Sequence, residues 1–173
     1  MLVAMAGLPG TGKSTIAGIL AGRLQLPVVS VDPIESSILK AGIGAEQPTG
    51  LAAYLVAETL AETVLNSSRG IVIDAVNAVA PAREQWVNLA ARTGEPLKFI
   101  EVVCSDPDVH RSRLESRYRD LPHLDQPSWH AVEQSLDEYA EWNGSSGAIA
   151  RITLDSVEPI GVNVERALAF LEA

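Results

Sequence analysis

The sequence predicts an α/β fold, a three-layer α/β/α sandwich in which helices cover both faces of a parallel five-stranded sheet. Three observations lead there. Short apolar runs alternate with helical stretches along the whole chain. Two of the runs, VVSV and IVID, end at aspartates, Asp32 and Asp74. A third, LVAMAG, opens into the glycine-rich stretch GLPGTGKST. Ligands of such sheets gather at the carboxyl ends of the strands, so the loop at Gly7, Asp32 and Asp74 are expected on one edge and in one cleft.

Each element has its own warrant. LVAMAG (2–7) is a buried strand ending at glycine. STIAGILAGRLQL (14–26) places Ile16, Ile19, Leu20 and Leu24 on one helical face, and Pro27 stops it. VVSV (28–31) is the second strand. Residues 47–70 hold a long helix with Leu51, Leu55 and Leu65 inward and Gly70 just past its end. IVID (71–74) is the third strand. PAREQWVNLAARTG (81–94) is a helix with proline at its start and glycine at its end. LKFIEVVC (97–104) is the fourth strand, and a helix over 106–119 follows, capped by Ser105 or Asp106. Residues 120–128 read as a polar loop and 129–142 as a helix. AIARITLD (148–155) alternates as a strand, and 162–173 closes as a helix.

The totals narrow the function. A chain of 173 residues suits one domain with a real core, taken as 1–173. At 47% hydrophobic and 20% charged it is globular. A net charge of −9 disfavours sequence-independent nucleic-acid binding and favours a small-molecule or protein partner. The single cysteine, Cys104, excludes a disulfide framework and a cysteine zinc site within one chain, and reads as a small core residue. Neither a leader-like amino terminus nor a membrane-length apolar run is visible, so a cytoplasmic location is expected.

Gly7, Gly10, Gly12, Lys13 and Ser14 fit G-x-x-x-x-G-K-[ST] between a strand and a helix. Glycines let backbone N–H groups approach phosphate oxygens, and the helix adds its positive end. The loop Gly7, Leu8, Pro9, Gly10, Thr11, Gly12, Lys13, Ser14 and Thr15 is thus expected to hold a nucleoside triphosphate. Lys13 reaches the β- and γ-phosphates and Ser14 holds Mg²⁺.

GLPGTGKST, SVD, VIDAVN and a late arginine cluster together resemble the P-loop small-molecule kinase group. Its members include chloramphenicol phosphotransferase-like, zeta-toxin-like, gluconate kinase and polynucleotide kinase-like proteins. The resemblance runs over nearly the whole chain. It implies a nucleotide-kinase-like fold with a mobile arginine-bearing lid, here roughly 111–128, and ATP rather than GTP. It also implies that Asp32 accepts the proton of the attacking hydroxyl. A carboxylate suits that task, and the same residue, before Pro33, reads equally as a helix cap.

Further candidates surround this pair. Asp74 can orient Mg²⁺, contact substrate, or end its strand as a turn residue. Asn77 completes a D-x-x-N pattern shared with polynucleotide kinase-like proteins. Arg83 then touches phosphate or pairs with Glu84. Arg111, Arg113, Arg117 and Arg119 fall within nine residues, and a helix puts Arg113 and Arg117 one turn apart, suited to charge on a transferring phosphoryl group. The arginine that polynucleotide kinase-like proteins often place three residues after the base aspartate is Glu35 here. An acid there repels a phosphorylated acceptor. The acceptor is then a neutral or cationic hydroxylated small molecule (a sugar, aminocyclitol or antibiotic), with Glu35, Ser36 and Tyr54 as contacts. Glu35 as a solvated first-turn acid is the plainer reading. Two other functions stay open: phosphorylation of a nucleotide or a polynucleotide 5′-hydroxyl, and an ATP-binding regulatory module with little chemistry. His110, His123 and His130 read as surface or capping residues. Trp86, Trp129 and Trp142 read as packing residues, with Trp129 also able to stack on a ligand.

Overall fold

The structure, a computed structural model, describes residues 1–173 except 117–120, 122, 138 and 140. Its sheet comprises β1 (Leu2–Ala6), β2 (Val28–Ser30), β3 (Ile71–Asp74), β4 (Leu97–Val103) and β5 (Arg151–Asp155). All pairings are parallel, in the order β2-β3-β1-β4-β5, with Ala4 between Ile73 and Phe99. The helices are α1 (Lys13–Leu24), α2 (Val31–Lys40), α3 (Thr49–Leu65), α4 (Ala80–Thr93), α5 (Pro107–Ser116), α6 (Trp129–Asp137), the short α7 (Gly144–Gly147) and α8 (Ile160–Glu172).

Both faces of the sheet are covered, which is why β1 is apolar at every position. Strand residues alternate between the two layers. Leu2 and Ala4 pack with Ala53 and Ala57 of α3 and Trp86 of α4. Val3 and Met5 pack with Leu20 of α1 and Leu168 of α8. From β1 the chain steps to one side for β2 and β3, then crosses β1 to lay down β4 and β5. This reversal opens a crevice at the carboxyl end of β1.

The expected strands and most helices are present, with five corrections. In α1 the buried row is Ile16, Ala17, Leu20 and Ala21, whereas Ile19 is 37% exposed. In α3 only Leu65 of the three expected leucines points inward. Leu51 and Leu55 are more than half exposed, and Thr49, Ala53, Ala57 and Ala61 line the inner face. A row of alanines every fourth residue gives α3 a small-residue inner face, closed at its end by Leu65. The chain from Val31 forms a full helix, α2, where a strand end was expected. The helix expected over 129–142 ends at Asp137. Cys104 lies just past β4, half-buried, and its Sγ donates to Asp106 O at 3.4 Å, so it is not a core residue. Asp106 caps α5 as expected, accepting from the N–H groups of Asp108 and Val109 at 3.0 Å. No helix among the described residues is long and apolar enough to cross a membrane.

The α3 packing has a direct test. Ala57 is fully buried, so Ala57→Leu overpacks its position and is expected to cost about 1–3 kcal/mol in urea unfolding. Leu55→Ser, on the exposed side, is expected to stay within about 0.5 kcal/mol of the parent.

Candidate functional site

The glycine loop leaves β1 under tight constraint. Gly7 has φ +137°, and a Cβ there would fall 2.2 Å from Val102 O, so only glycine passes. Gly7 N–H donates to Val76 O at 2.9 Å, which ties the loop to the exit of β3. Thr11 closes the loop on itself, its hydroxyl donating to Leu8 O at 2.9 Å. Gly12, in left-handed conformation, caps α1, and Lys13 is that helix's first residue. The positive end of α1 therefore faces the crevice, an anion site by construction.

Lys13 is 4% exposed, with Nζ 3.8 Å from Asp74 Oδ1. The other Asp74 oxygen accepts from Ser30 Oγ at 3.2 Å. Oδ1 is buried and receives no hydrogen bond. A buried carboxylate oxygen with spare acceptor capacity suits a hydrated divalent cation, and Ser14 stands beside Lys13 with a hydroxyl for the same ion. The residues present fit Mg²⁺.

Asp32 is the second residue of α2, and Ser30 occupies the cap position, so the capping reading of Asp32 gives way to a half-buried acid in the first turn. Asp32 and Asp74 both act on Tyr54. Burial, with the negative charge of these two aspartates, pushes the Tyr54 hydroxyl up to about 12 against the opposing Asn77 N–H. Tyr54 Oη accepts that N–H at 3.1 Å. The phenol thus stays protonated beside two acids. Glu35 turns toward α3, accepting from Thr49 Oγ1 at 2.8 Å, and so joins α2 to α3. Ser36 is buried.

Two expected substrate residues prove to be scaffold. Asn77 is fully buried, its side chain donating to Met5 O at 2.7 Å and accepting from Trp86 Nε1 at 2.9 Å. Arg83 is also fully buried. Its guanidinium donates to the carbonyls of Asn77, Ala78 and Glu141 and lies 4.0 Å over the Trp142 ring. Glu84 accepts from Ser146 N–H at 2.7 Å. A guanidinium enclosed by carbonyls and an indole is withdrawn from any phosphate.

A cleft of about 520 Å³ runs from the loop to the segment after β5, bounded by Gly10, Gly12, Lys13, Arg113, Val157 and Ile160. Arg113 stands at its wall, donating to Ser156 Oγ at 2.8 Å and Ser156 O at 3.0 Å. Val157 and Ile160 are 42% and 48% exposed, an apolar wall of the kind a flat base covers. Sequence reasoning passed over this wall. Its signal was the position of DSVEP at a strand's carboxyl end, before the last helix. Arg117 and Arg119, with part of the expected lid, lie outside the described residues. Trp86 and Trp142 are packing residues, and Trp129 packs on His110. His110 is buried against the glycine loop, not on the surface.

The phosphate loop, the buried lysine–aspartate pair and the parallel sheet define a P-loop α/β protein of the small-molecule-kinase kind. The chain belongs to the AAA-domain family, whose profile matches residues 2–141. It is 30% identical over 131 residues to an adenylate kinase of Corynebacterium glutamicum, covering 69% of this chain and 71% of that protein. It is 34% identical over 82 residues to the chloroplastic ATP-dependent zinc metalloprotease FTSH 7 of Oryza sativa subsp. japonica. That match covers 47% of this chain and spans only 9% of the protease. Among solved structures, a candidate kinase of Chloroflexus aurantiacus superposes with TM-score 0.75 at 23% identity, over 98% of this chain and 97% of that one. A sugar kinase of Janibacter sp. gives 0.73 at 18%, over 99% and 94%. Kti12 of Chaetomium thermophilum, solved with ADP-AlF3, gives 0.72 at 17%, over 98% of each chain. These likenesses are of fold.

Two outcomes follow from the site chemistry. Burial first, then the two aspartates, hold the Tyr54 phenol up to about 12 against an ordinary 10, so folding retains this proton. Its contribution to stability is complete below pH about 10 and is lost as pH rises toward about 12. Tyr54→Phe is expected to flatten the fall in stability over that window and to remove one late step from the ultraviolet phenolate titration. Arg83→Met strands several carbonyls and is expected to cost at least about 2 kcal/mol in urea unfolding. It should leave nucleotide affinity unchanged in the folded fraction, as a phosphate contact would not.

Proposed function

We propose that the chain is an ATP- and Mg²⁺-dependent phosphotransferase that moves the γ-phosphate to a hydroxyl of a small molecule. Residues 1–173 act as one P-loop kinase domain with a lid at roughly 111–128, working in the cytoplasm. The observation that carries this reading is the phosphate loop with its lysine set against a buried acid, beside a second acid just past β2. Asp74 lies against Lys13, and Asp32 with Asp74 acts on the same tyrosine.

The loop from Gly7 to Thr15 holds the phosphates, and Lys13 draws charge from the β- and γ-oxygens. The base lies against Val157 and Ile160. Ser14 and, through water, Asp74 would hold Mg²⁺, which would supply charge neutralisation at the phosphates. Asp32 accepts the proton of the acceptor hydroxyl as its oxygen bonds to the γ-phosphorus. The bond from that phosphorus to the bridging oxygen breaks, and ADP leaves. Arg113, with Arg117, steadies the transferring group.

Asp32 and Asp74 stand at the sheet edge beside the loop, while Glu35 is bonded to Thr49 of α3 and Arg83 is buried in the core. This supports a neutral or cationic hydroxylated acceptor. The adenylate kinase relative supports a second reading, a nucleotide acceptor, which needs cations where these acids stand.

A panel of sugars, aminocyclitols, amino-hydroxylated antibiotics and nucleoside monophosphates, incubated with Mg-ATP, decides between them by ADP release and mass gain. Asp32→Asn is expected to slow transfer by about 10²–10⁴ with ADP binding retained. Transfer that survives the substitution removes Asp32 from the chemistry. Transfer to monophosphates alone gives the second reading, and ATP binding with no transfer to any compound favours a binding module.

A further inference from the structure

His110, on α5, is 2% exposed, and its Nε2 stands 2.8 Å from the Pro9 carbonyl oxygen. A carbonyl oxygen only accepts, so Nε2 carries the hydrogen and donates it. The same ring edge lies against Gly10, where a built Cβ would fall 3.1 Å from Cδ2 and 3.2 Å from Nε2. Trp129, the first residue of α6, meets the ring edge-on at 5.2 Å between centroids. Two helices therefore fix the imidazole and aim it at one peptide group.

That group is the Pro9–Gly10 peptide. In a trans peptide the C=O and N–H point in opposite directions. His110 lines a separate cavity of about 300 Å³ behind the loop, together with Gly7 and Thr11. Gly10 lines the 520 Å³ cleft in front. Holding the Pro9 carbonyl back toward His110 therefore turns the Gly10 N–H forward, to the phosphate side. The local turn favours this orientation without enforcing it: Thr11 N–H closes on Leu8 O at 3.3 Å around Pro9 and Gly10, with Gly10 at φ +88°, the type II pattern, and a type I turn reverses the middle peptide under the same closing bond. Reversing the peptide plane changes only ψ of Pro9 and φ of Gly10, and glycine accepts φ of either sign. One orientation offers an anion a donor, the other a carbonyl oxygen that repels it.

We propose that His110 is a positioning residue that locks the Pro9–Gly10 peptide in its anion-binding orientation and so sets nucleotide affinity without touching the nucleotide. The affinity half of this rests on the nucleotide reading above. The orientation half does not.

His110→Phe keeps an aromatic ring against Trp129 and removes the donor. His110→Gln returns an amide N–H at the reach of Nε2. Mg-ADP titration calorimetry on the full chain, with unliganded crystal structures of parent and variants, reads both halves. His110→Phe is expected to bind ADP about five- to thirtyfold more weakly, the loss of one buried hydrogen bond and one phosphate donor. Its Pro9–Gly10 peptide should be reversed or split between two orientations. His110→Gln should restore both affinity and orientation. A His110→Phe variant that binds as the parent does, or keeps the parent's peptide orientation, overturns the lock, as does a His110→Gln that loses as much as His110→Phe. If the parent itself binds no ADP, the nucleotide reading fails, and the peptide orientation still decides the lock. Should His110→Phe not fold, His110→Asn, whose amide is too short to reach Pro9 O, carries the same comparison.

Discussion

The cleft depends on how one buried asparagine is satisfied. Asn77, just past β3 with φ +48°, engages all four of its polar groups. Its N–H meets Tyr54 Oη, and its carbonyl accepts from Arg83 Nε at 2.7 Å. Its side chain donates to Met5 O and accepts from Trp86 Nε1. Each of these groups, buried and unmet, would cost about 1–3 kcal/mol. Met together, they join β1, α3 and α4 at one point. The exit of β3 is thereby rigid, and Val76 O is held where Gly7 N–H needs it. The separation of Asp74 from the phosphate loop is a consequence of this network.

On that frame the carboxyl edge of the sheet has two chemically distinct halves. One offers Lys13, Arg113, the α1 terminus and an apolar wall. The other offers Asp74 at the end of β3, Asp32 at the start of α2 and a phenol that stays protonated. The buried Lys13–Asp74 pair lies between them. Such a pair adds little to net stability, since desolvation offsets its attraction. What it provides is placement: a cation toward one half and a carboxylate toward the other, already ordered before any ligand arrives.

The phosphate loop was legible because glycines dictate its backbone locally, and the two aspartates because strand ends announce themselves. The parallel sheet followed from apolar runs without alternation. What stayed hidden was tertiary. The inward face of α3 is a row of alanines, which leucine periodicity does not reveal. The D-x-x-N pattern looked like ligand chemistry, yet Asn77 and Arg83 answer to Trp86 and Trp142, partners that only folding brings near. His110 looked unremarkable because its partner, Pro9 O, is a backbone atom about a hundred residues away. The loop after β5 carries no motif, since its contribution is an apolar wall and two Ser156 oxygens, one of them backbone.

Arg83 carries a consequence for how this scaffold can change. Its guanidinium lies between the Trp142 ring at 4.0 Å and the Tyr139 ring at 5.0 Å, with carbonyls around its rim. Once an arginine becomes part of the interior, its site tolerates no drift, and the charge it carries is lost to recognition at the surface. A lineage descending from this chain could not acquire taste for an anionic acceptor by loosening Arg83. It would have to raise a new cation elsewhere on the acid side, against the aspartates already in residence. The interior thus narrows the evolutionary routes open to the surface.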